Sequence, residues 1–126
     1  MSLSYSNKEK LKSKKLIEEL FSEGQSMVTY PLRLVYLKAS FDEEGVQFKT
    51  GVSVSKRHFK NAVDRNQIKR LLREAYRLNK AEYFNNILSS YALMILYIGK
   101  DGTDFDSVNS KMKQLLDAFS KKVSQQ

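Results

Sequence analysis

Nine lysine and arginine residues stand between Ser55 and Lys80, a stretch that holds only two carboxylates. This stretch carries +7 of the chain's net charge of +8. On a helix, at about 100° per residue, five of these cations fall within an arc of about 140°. They are Arg65, Lys69, Arg70, Arg73 and Arg77. Such a row of cations can bind a row of phosphates, and the backbone of a nucleic acid is the most common partner of this kind.

The neighbouring arc of the same helix is apolar. It holds Ile68, Leu71, Leu72, Ala75 and Tyr76, which would pack on a core. A polyanion lying along the basic arc would relieve the repulsion between like charges at i,i+4. The alternative is a solvated helix face, but such faces usually mix both signs of charge. The pattern therefore favours nucleic-acid binding.

The rest of the composition limits the chemistry that the chain could perform by itself. It has no cysteine and one histidine, His58, so it offers neither a disulfide nor a histidine-based metal cluster. Asp101, Asp104 and Asp106 could mimic a metal loop, but Asp101 begins an ordinary turn and Asp104 is a typical helix cap. We therefore predict no catalytic and no metal-binding residues in this chain.

Length and charge indicate where the chain acts. At 126 residues it is long enough for one domain with a real core. No apolar run approaches the roughly 20 residues of a membrane span, and the charged N-terminus does not resemble a signal peptide. With a sequence pI near 9.6, we expect a cytoplasmic protein whose partner is a nucleic acid.

The elements that precede the basic helix follow from spacing and turn residues. Residues 1–12 look like a flexible basic N-terminal arm, and residues 13–123 look like a single domain. Ser13 would cap a first helix that Gly24 ends, and extended segments would follow on both sides of Pro31. An acidic turn at 42–45 would then join the second and third strands in a hairpin.

The basic helix itself would run from Phe59 or Asn61 to Asn79 or Asn85. The apolar run at 91–98 is typical of a buried strand. A last amphipathic helix would begin at a cap formed by Thr103 or Asp104. The predicted order is αβββαβα, an α+β fold whose helices pack against one mixed sheet.

Two segments in this order resemble the protein subunit of bacterial ribonuclease P. One is Gly51-Val52-Ser53-Val54-Ser55-Lys56-Arg57, which is similar to the family's strand ending in Ser-Lys. The other runs from Asn61 to Ala75 and is similar to the family's helix with an Arg-Asn-Arg motif. The resemblance covers roughly Leu11 to Phe119.

The resemblance implies both a fold and a role. The fold would be a two-layer αβββαβα sandwich of the ribosomal-protein-S5-domain-2-like type, with the basic helix in a left-handed βαβ crossover. The role would be that of the protein subunit of a ribonucleoprotein endoribonuclease that matures the 5′ end of tRNA. Its partners would be the catalytic RNA subunit and the 5′ leader of precursor tRNA, with Mg²⁺ held mainly by the RNA. The protein alone would be monomeric and would have no nuclease activity.

The basic arc and the resemblance together predict two sets of RNA-binding residues. The catalytic RNA would contact Lys56, Arg57, Lys60, Arg65, Asn66, Lys69, Arg70 and Arg73. The cleft for the single-stranded leader would be lined by Phe21, with Ile17, Val35, Tyr36 and Phe48 as weaker candidates. Helical spacing alone favours a core position for Phe21, and strand alternation favours partial packing of Tyr36 and Phe48.

Three features depart from the family's pattern. Gln67 replaces the second arginine of Arg-Asn-Arg, and His58-Phe59-Lys60 replaces a shorter link that contains glycine. Ile17 and Val35 stand where aromatic residues are frequent, which would change how the leader is held. From the residues alone, two other functions stay open. One is a general RNA-binding module of ribosomal or translation-associated type, and the other is a self-sufficient nuclease, which the lack of paired carboxylates disfavours.

Overall fold

The computed structural model describes residues 7–124, which form three α-helices and one four-stranded sheet. The strands are β1 (Gln25–Thr29), β2 (Leu32–Lys38), β3 (Phe48–Val54) and β4 (Tyr91–Tyr97). The helices are α1 (Lys14–Glu23), α2 (Ala62–Phe84) and α3 (Phe105–Ser124), and a short 3-10 helix covers Asn7–Glu9. The predicted α+β class and the predicted order of helices and strands are confirmed.

The apolar strand β4 lies inside the sheet, whose strand order is β1-β2-β4-β3. It pairs antiparallel with β2 and parallel with β3, and β1 completes the sheet by pairing antiparallel with β2. Nearly every residue of β4 is buried, as its continuous apolar run predicts. Because β3 and β4 are parallel neighbours, α2 crosses between them as the helix of a βαβ unit.

The predicted hairpin between the second and third strands is wrong, because β4 lies between β2 and β3. Residues 39–47 form a longer connection instead of a tight turn. The end of this connection is fixed by Gln47, whose Nε2 donates to the carbonyl oxygens of Ile87 and Ser89, the latter at 2.9 Å. The turn residues at 42–45 carry no information about β4, which comes later in the chain. This strand takes an inner position in the sheet because both of its faces are apolar.

The two faces of the sheet are covered by different helices. On one face, here named the core face, α2 and α3 bury Leu34, Ile95 and Phe119 completely. The other face, here named the α1 face, is crossed by α1, whose Leu20 packs in a second cluster with Met94. The helix α1 therefore adds a partial third layer to the predicted two-layer sandwich.

The predicted start and end of α1 and the predicted start of α3 are confirmed by their caps. The Oγ of Ser13 accepts a hydrogen bond from the backbone N–H of Leu16 at 3.2 Å, at the start of α1. The α1 helix ends at Gly24, where a Cβ would overlap the carbonyl oxygen of Leu20, so a residue without a side chain lets the chain return to the sheet. Asp104 Oδ1 accepts the N–H of Ser107 at 2.9 Å and caps α3.

The segment before α1 is part of the domain as far as the structure describes it, although the sequence predicts a flexible arm up to residue 12. The N–H of Leu11 donates to the carbonyl oxygen of Thr50 at 3.1 Å, and Leu11 is buried. Glu9 forms an ion pair with Lys80 of α2. These contacts cover the outer edge of β3, so the domain begins before residue 13. Residues 1–6 of the predicted arm lie outside the described residues.

Candidate nucleic-acid interface

The helix α2 presents its cations beside its buried face. Ile68 and Tyr76 pack into the main core, whereas Arg70 and Arg73 are exposed. Lys69 is half-buried between these two surfaces. The helix thus has the adjacent apolar and basic faces that its sequence predicts.

The loop between β3 and α2 brings three more of the predicted cations to the start of the helix. They are Lys56, Arg57 and Lys60, and all three are exposed. The N–H of Arg57 donates to the Oγ of Ser55 at 3.1 Å, which tightens the turn. The ring of Phe59 lies 5.9 Å from that of Tyr97 and anchors the middle of the loop on the core. The segment His58-Phe59-Lys60 is therefore held in place, because the aromatic side chain of Phe59 fixes the loop.

Arg65 is engaged with the protein itself. Its Nη1 donates to the carbonyl oxygens of Phe59 and Lys60, both at 2.8 Å. The side chain is half-buried and ties the loop to the first turn of α2. Arg65 therefore positions the cations of the loop, and its direct contact with RNA stays a prediction.

Two further cations of the basic segment are paired with carboxylates. Arg77 forms an ion pair with Glu74 on α2, and Lys80 forms one with Glu9. The hydrogen bond from Arg77 lowers the pKa of Glu74. The outward positive charge is consequently carried by the loop and by the first half of α2. We name this set the basic surface: Lys56, Arg57, Lys60, Asn66, Lys69, Arg70 and Arg73.

Three of the five residues predicted for the leader cleft lie on the α1 face. Ile17 and Phe21 are one turn apart on α1, and Phe21 is 50% exposed. Val35 lies in the cluster beneath α1 and is 3% exposed, so it supports this helix and is covered by it. Phe21 is thus the exposed aromatic of this group.

Tyr36 and Phe48 lie on the core face, which corrects their assignment to the same cleft. Tyr36 is 4% exposed, its ring centroid is 5.0 Å from that of Phe119, and its hydroxyl donates to Gln25 Oε1 at 3.0 Å. Burial raises the pKa of this hydroxyl. Phe48 packs against Phe84 with 4.5 Å between ring centroids. The physical reason is strand alternation, which sends neighbouring side chains of β2 to opposite faces.

The same alternation identifies residues that the sequence prediction missed. Arg33 shares the face of Val35 on β2, and the strand register places Leu96 of β4 opposite it and Ser53 of β3 opposite Leu96. Leu96 packs on the same cluster as Ile17. The sequence already indicated this grouping. Side chains alternate between the two faces of a strand, so Arg33 and Val35 share a face and Tyr36 lies on the opposite one. We name the surface defined by Ile17, Phe21, Arg33, Ser53 and Leu96 the α1-face cleft.

The surfaces described above present exposed cations, the amide of Asn66 and the half-exposed ring of Phe21. Within residues 7–124, no three histidine, cysteine, aspartate or glutamate side chains are placed to hold a metal ion. None of the helices in this range is long and apolar enough to cross a membrane. His58 is exposed in the loop before α2. The groups that are present suit the binding of phosphates and bases.

Comparison with known proteins supports this interpretation. A family model described as Ribonuclease P matches residues 5–120. The ribonuclease P protein component of Porphyromonas gingivalis strain ATCC 33277 is 39% identical over 115 residues, which cover 88% of this chain and 82% of that protein. The ribonuclease P protein component of Natranaerobius thermophilus is 37% identical over 86 residues, or 68% of this chain and 67% of that protein.

Solved structures show the same fold. The RNase P protein of Staphylococcus aureus superposes with a TM-score of 0.68 at 21% identity, covering 91% of this chain and 96% of that one. The RNase P protein from Thermotoga maritima gives a TM-score of 0.67 at 24% identity, covering 87% of this chain and 96% of that one. At these identities the likeness supports the fold, a four-stranded mixed sheet with three helices.

A basic helix that crosses between parallel strands, beside a partly open sheet face, defines an α+β domain of the RNA-binding class. With residues 5–120 matched, the chain belongs to the bacterial ribonuclease P protein family. It is thus a protein component of a ribonucleoprotein enzyme of tRNA processing, and its partner is the ribonuclease P RNA. The alternative of a general RNA-binding module is not favoured.

Proposed function

We propose that this protein binds the catalytic RNA through its basic surface and the single-stranded 5′ leader of precursor tRNA through the α1-face cleft. The observation that supports this division is the position of β3, an outer strand of the sheet with α2 on its core face. The basic surface lies on α2 and on the loop that follows β3, whereas the half-exposed ring of Phe21 lies on α1, which packs on the other face of the sheet. A protein of this shape can contact two RNA segments at the same time.

The basic surface supplies affinity for folded RNA. Each cation that neutralises a phosphate releases counterions, so affinity falls as the salt concentration rises. The guanidinium groups of Arg57, Arg70 and Arg73 are exposed and can each donate two hydrogen bonds to one phosphate. Asn66 adds an exposed amide to this surface and can donate to a phosphate, a ribose or a base.

The α1-face cleft supplies affinity for an unpaired strand. Stacking on an aromatic ring tolerates every base, because every base has a π-face. This tolerance suits an enzyme whose substrates carry leaders of many sequences. Arg33 is exposed on the same face and can neutralise a leader phosphate.

We assign the hydrolytic step to the RNA, with Mg²⁺ held mainly by RNA phosphates. The carboxylates of the described residues do not converge in a metal-binding group, so they do not fit a protein-held ion. The protein would act by offsetting repulsion between the phosphates of the enzyme RNA and of the substrate. The proposal includes three further properties. The protein is monomeric before it binds RNA, it is located in the cytoplasm, and it has no nuclease activity by itself.

The test is cleavage of precursor tRNA by the protein alone, by the RNA subunit alone and by both, over a range of Mg²⁺ concentrations. We expect no cleavage by the protein alone. The enhancement that the protein gives to the RNA should be greatest at low Mg²⁺ and should shrink as Mg²⁺ screens the same charges. Cleavage by RNA-free protein, or an equal enhancement at every Mg²⁺ concentration, would contradict the proposal.

A further inference from the structure

A groove of about 280 Å³ lies between the first half of α2 and the turn that precedes α3. Asp64 and Gln67 line it from α2, and Gly102 and Thr103 line it from the turn. At about 100° per residue, Gln67 lies about 60° around the helix from Arg70, so the groove borders the basic surface. Pockets for drug-sized ligands have volumes of roughly 300–1,000 Å³, so this groove has room for one small planar group.

The charge of this groove is opposite to that of the surface beside it. Among the described residues that line the groove, Asp64 is charged and the others are neutral. Asp64 is exposed, and within residues 7–124 its carboxylate forms neither an ion pair nor a hydrogen bond. A carboxylate repels phosphate but accepts hydrogen bonds from N–H groups. The groove therefore interrupts a phosphate-binding surface with a group that binds a hydrogen-bond donor.

The rest of the lining combines an amide with apolar side chains. Gln67 is exposed and stands three residues after Asp64, so the two side chains are neighbours on the surface of α2. The half-buried Phe59 and the buried Ile68 supply the apolar part of the lining. A Cβ on Gly102 would meet no protein atom within 4 Å, so the turn leaves its side of the groove open. A carboxylate and an amide beside apolar side chains suit the hydrogen-bonding edge of an unstacked base.

We propose that this groove holds one unpaired guanine of the ribonuclease P RNA. The two carboxylate oxygens of Asp64 accept hydrogen bonds from N1–H and from the N2 amino group of guanine, and Nε2 of Gln67 donates to its O6. Guanine is selected because its Watson–Crick edge places two donors next to each other, whereas the other three bases have an acceptor beside each donor. The inference rests on the proposed function, which assigns the catalytic RNA to the basic surface, and it adds Asp64 and Gln67 to the residues that contact this RNA.

The variant Asp64→Asn separates a base contact from a simple charge effect, because the two predict changes of opposite sign. It makes the chain more positive by one charge, so charge alone would tighten binding of the RNA subunit. Loss of the hydrogen bonds to guanine should instead weaken binding about 10-fold, measured as the Kd of the protein for the RNA subunit. Asp106→Asn is the matched control, since Asp106 is exposed in the first turn of α3 as Asp64 is in that of α2. The control should leave Kd unchanged or slightly lower.

The amide is tested without any change of charge. Gln67→Met should weaken binding of the RNA subunit about 3- to 5-fold and leave the salt dependence of binding unchanged, because no phosphate contact is lost. Gln114→Met on α3 replaces an exposed glutamine outside the groove and should change neither quantity. All four substituted residues are exposed, so thermal unfolding should show an intact fold in each variant.

The base itself is identified by chemical modification of the RNA subunit with a reagent specific for N1 and N2 of unpaired guanine. One guanine should be protected when the unaltered protein is bound. The same guanine should react when Asp64→Asn or Gln67→Met is bound at a saturating concentration.

The outcomes distinguish the inference from the function on which it rests. If Asp64→Asn tightens RNA binding as a charge effect would, or if no guanine changes its reactivity, the subsite is refuted and the proposed function stands. The same conclusion follows if the two groove variants weaken only the binding of leader-bearing precursor tRNA to the holoenzyme. If the unaltered protein binds the RNA subunit without any dependence on salt, the proposed role of the basic surface itself fails. Weaker RNA binding in both groove variants, together with exposure of one guanine, supports the subsite.

Discussion

The core face and the α1 face of the sheet use aromatic residues in opposite ways. On the core face, Tyr36, Tyr91 and Phe119 contact one another with ring centroids 5.0 to 6.3 Å apart, and all are buried. On the α1 face, Phe21 keeps half of its surface in water. A ring inside a closed cluster stabilises the fold, whereas a ring left half exposed is available to a base.

The difference between the faces follows from the lengths of the helices that cover them. The helices α2 and α3 have 23 and 20 residues and cover the core face, whereas α1 has 10 residues and crosses part of the other face. The shorter helix buries Val35 and leaves Arg33 exposed on the same strand. Partial cover therefore leaves part of this face open without any special motif. The following predictions test this contrast.

The largest effect is expected on the core face. Tyr36→Ala should lower the free energy of unfolding by about 3 kcal/mol, because it leaves a cavity beside Phe119. Tyr36→Phe keeps the ring and loses only the hydrogen bond to Gln25, so it should cost about 1 kcal/mol. Urea denaturation of both variants measures these losses. A Tyr36→Ala protein with normal stability and weakened leader binding would return this residue to the cleft.

The exposed ring on the α1 face should show the reverse behaviour. Phe21→Ala should change the free energy of unfolding by no more than about 0.5 kcal/mol. It should weaken binding of leader-bearing precursor tRNA to the holoenzyme by about 1–3 kcal/mol, because one stacking contact is lost. Tyr30, which is 61% exposed in the turn between β1 and β2, provides the matched control through Tyr30→Ala. Equal losses in the two variants would show that the effect does not belong to the cleft.

Substitutions of two arginines of α2 should distinguish direct contact with the catalytic RNA from positioning of the loop before the helix. Arg70→Gln removes an exposed cation and should reduce the salt dependence of binding to the catalytic RNA by about one charge. Arg65→Gln breaks the hydrogen bonds to Phe59 and Lys60 and should also speed amide hydrogen exchange in the loop of residues 55–60. Unchanged exchange in Arg65→Gln, together with a slope change equal to that of Arg70→Gln, would make Arg65 a simple phosphate contact.

The smallest effect is expected at the N-terminal cap of α3, the helix that packs on the core face. The N–H of Ser107 donates to Asp104 and lowers the pKa of this carboxylate below its usual value. Because the folded pKa is the lower one, the charged cap stabilises the protein above the unfolded pKa of about 3.9, and this contribution is lost as the pH falls through the folded value. Asp104→Asn keeps a capping oxygen without the charge. The difference in unfolding free energy between wild type and this variant should therefore shrink on acidification, and a constant difference from pH 6 to pH 3 would contradict the assignment.

Local sequence determined the elements of this protein. Ser13 and Asp104 act as caps because their oxygens meet backbone N–H groups within three residues along the chain. The extent of α2 and the burial of β4 follow from periodicity and from a continuous apolar run. The charge of the segment from Ser55 to Lys80 was also evident, since composition does not depend on folding.

Tertiary structure alone decided how these elements meet. The insertion of β4 between β2 and β3 separated the predicted hairpin, and the segment before α1 became the cover of the β3 edge. Arg65 was engaged by the loop before its own helix, and Lys80 was paired with Glu9 across the domain. Patterns within a strand or helix show which side chains share a face. Which face is closed, and which cations remain exposed, depends on contacts between segments far apart in sequence, and these form only when the whole core packs together.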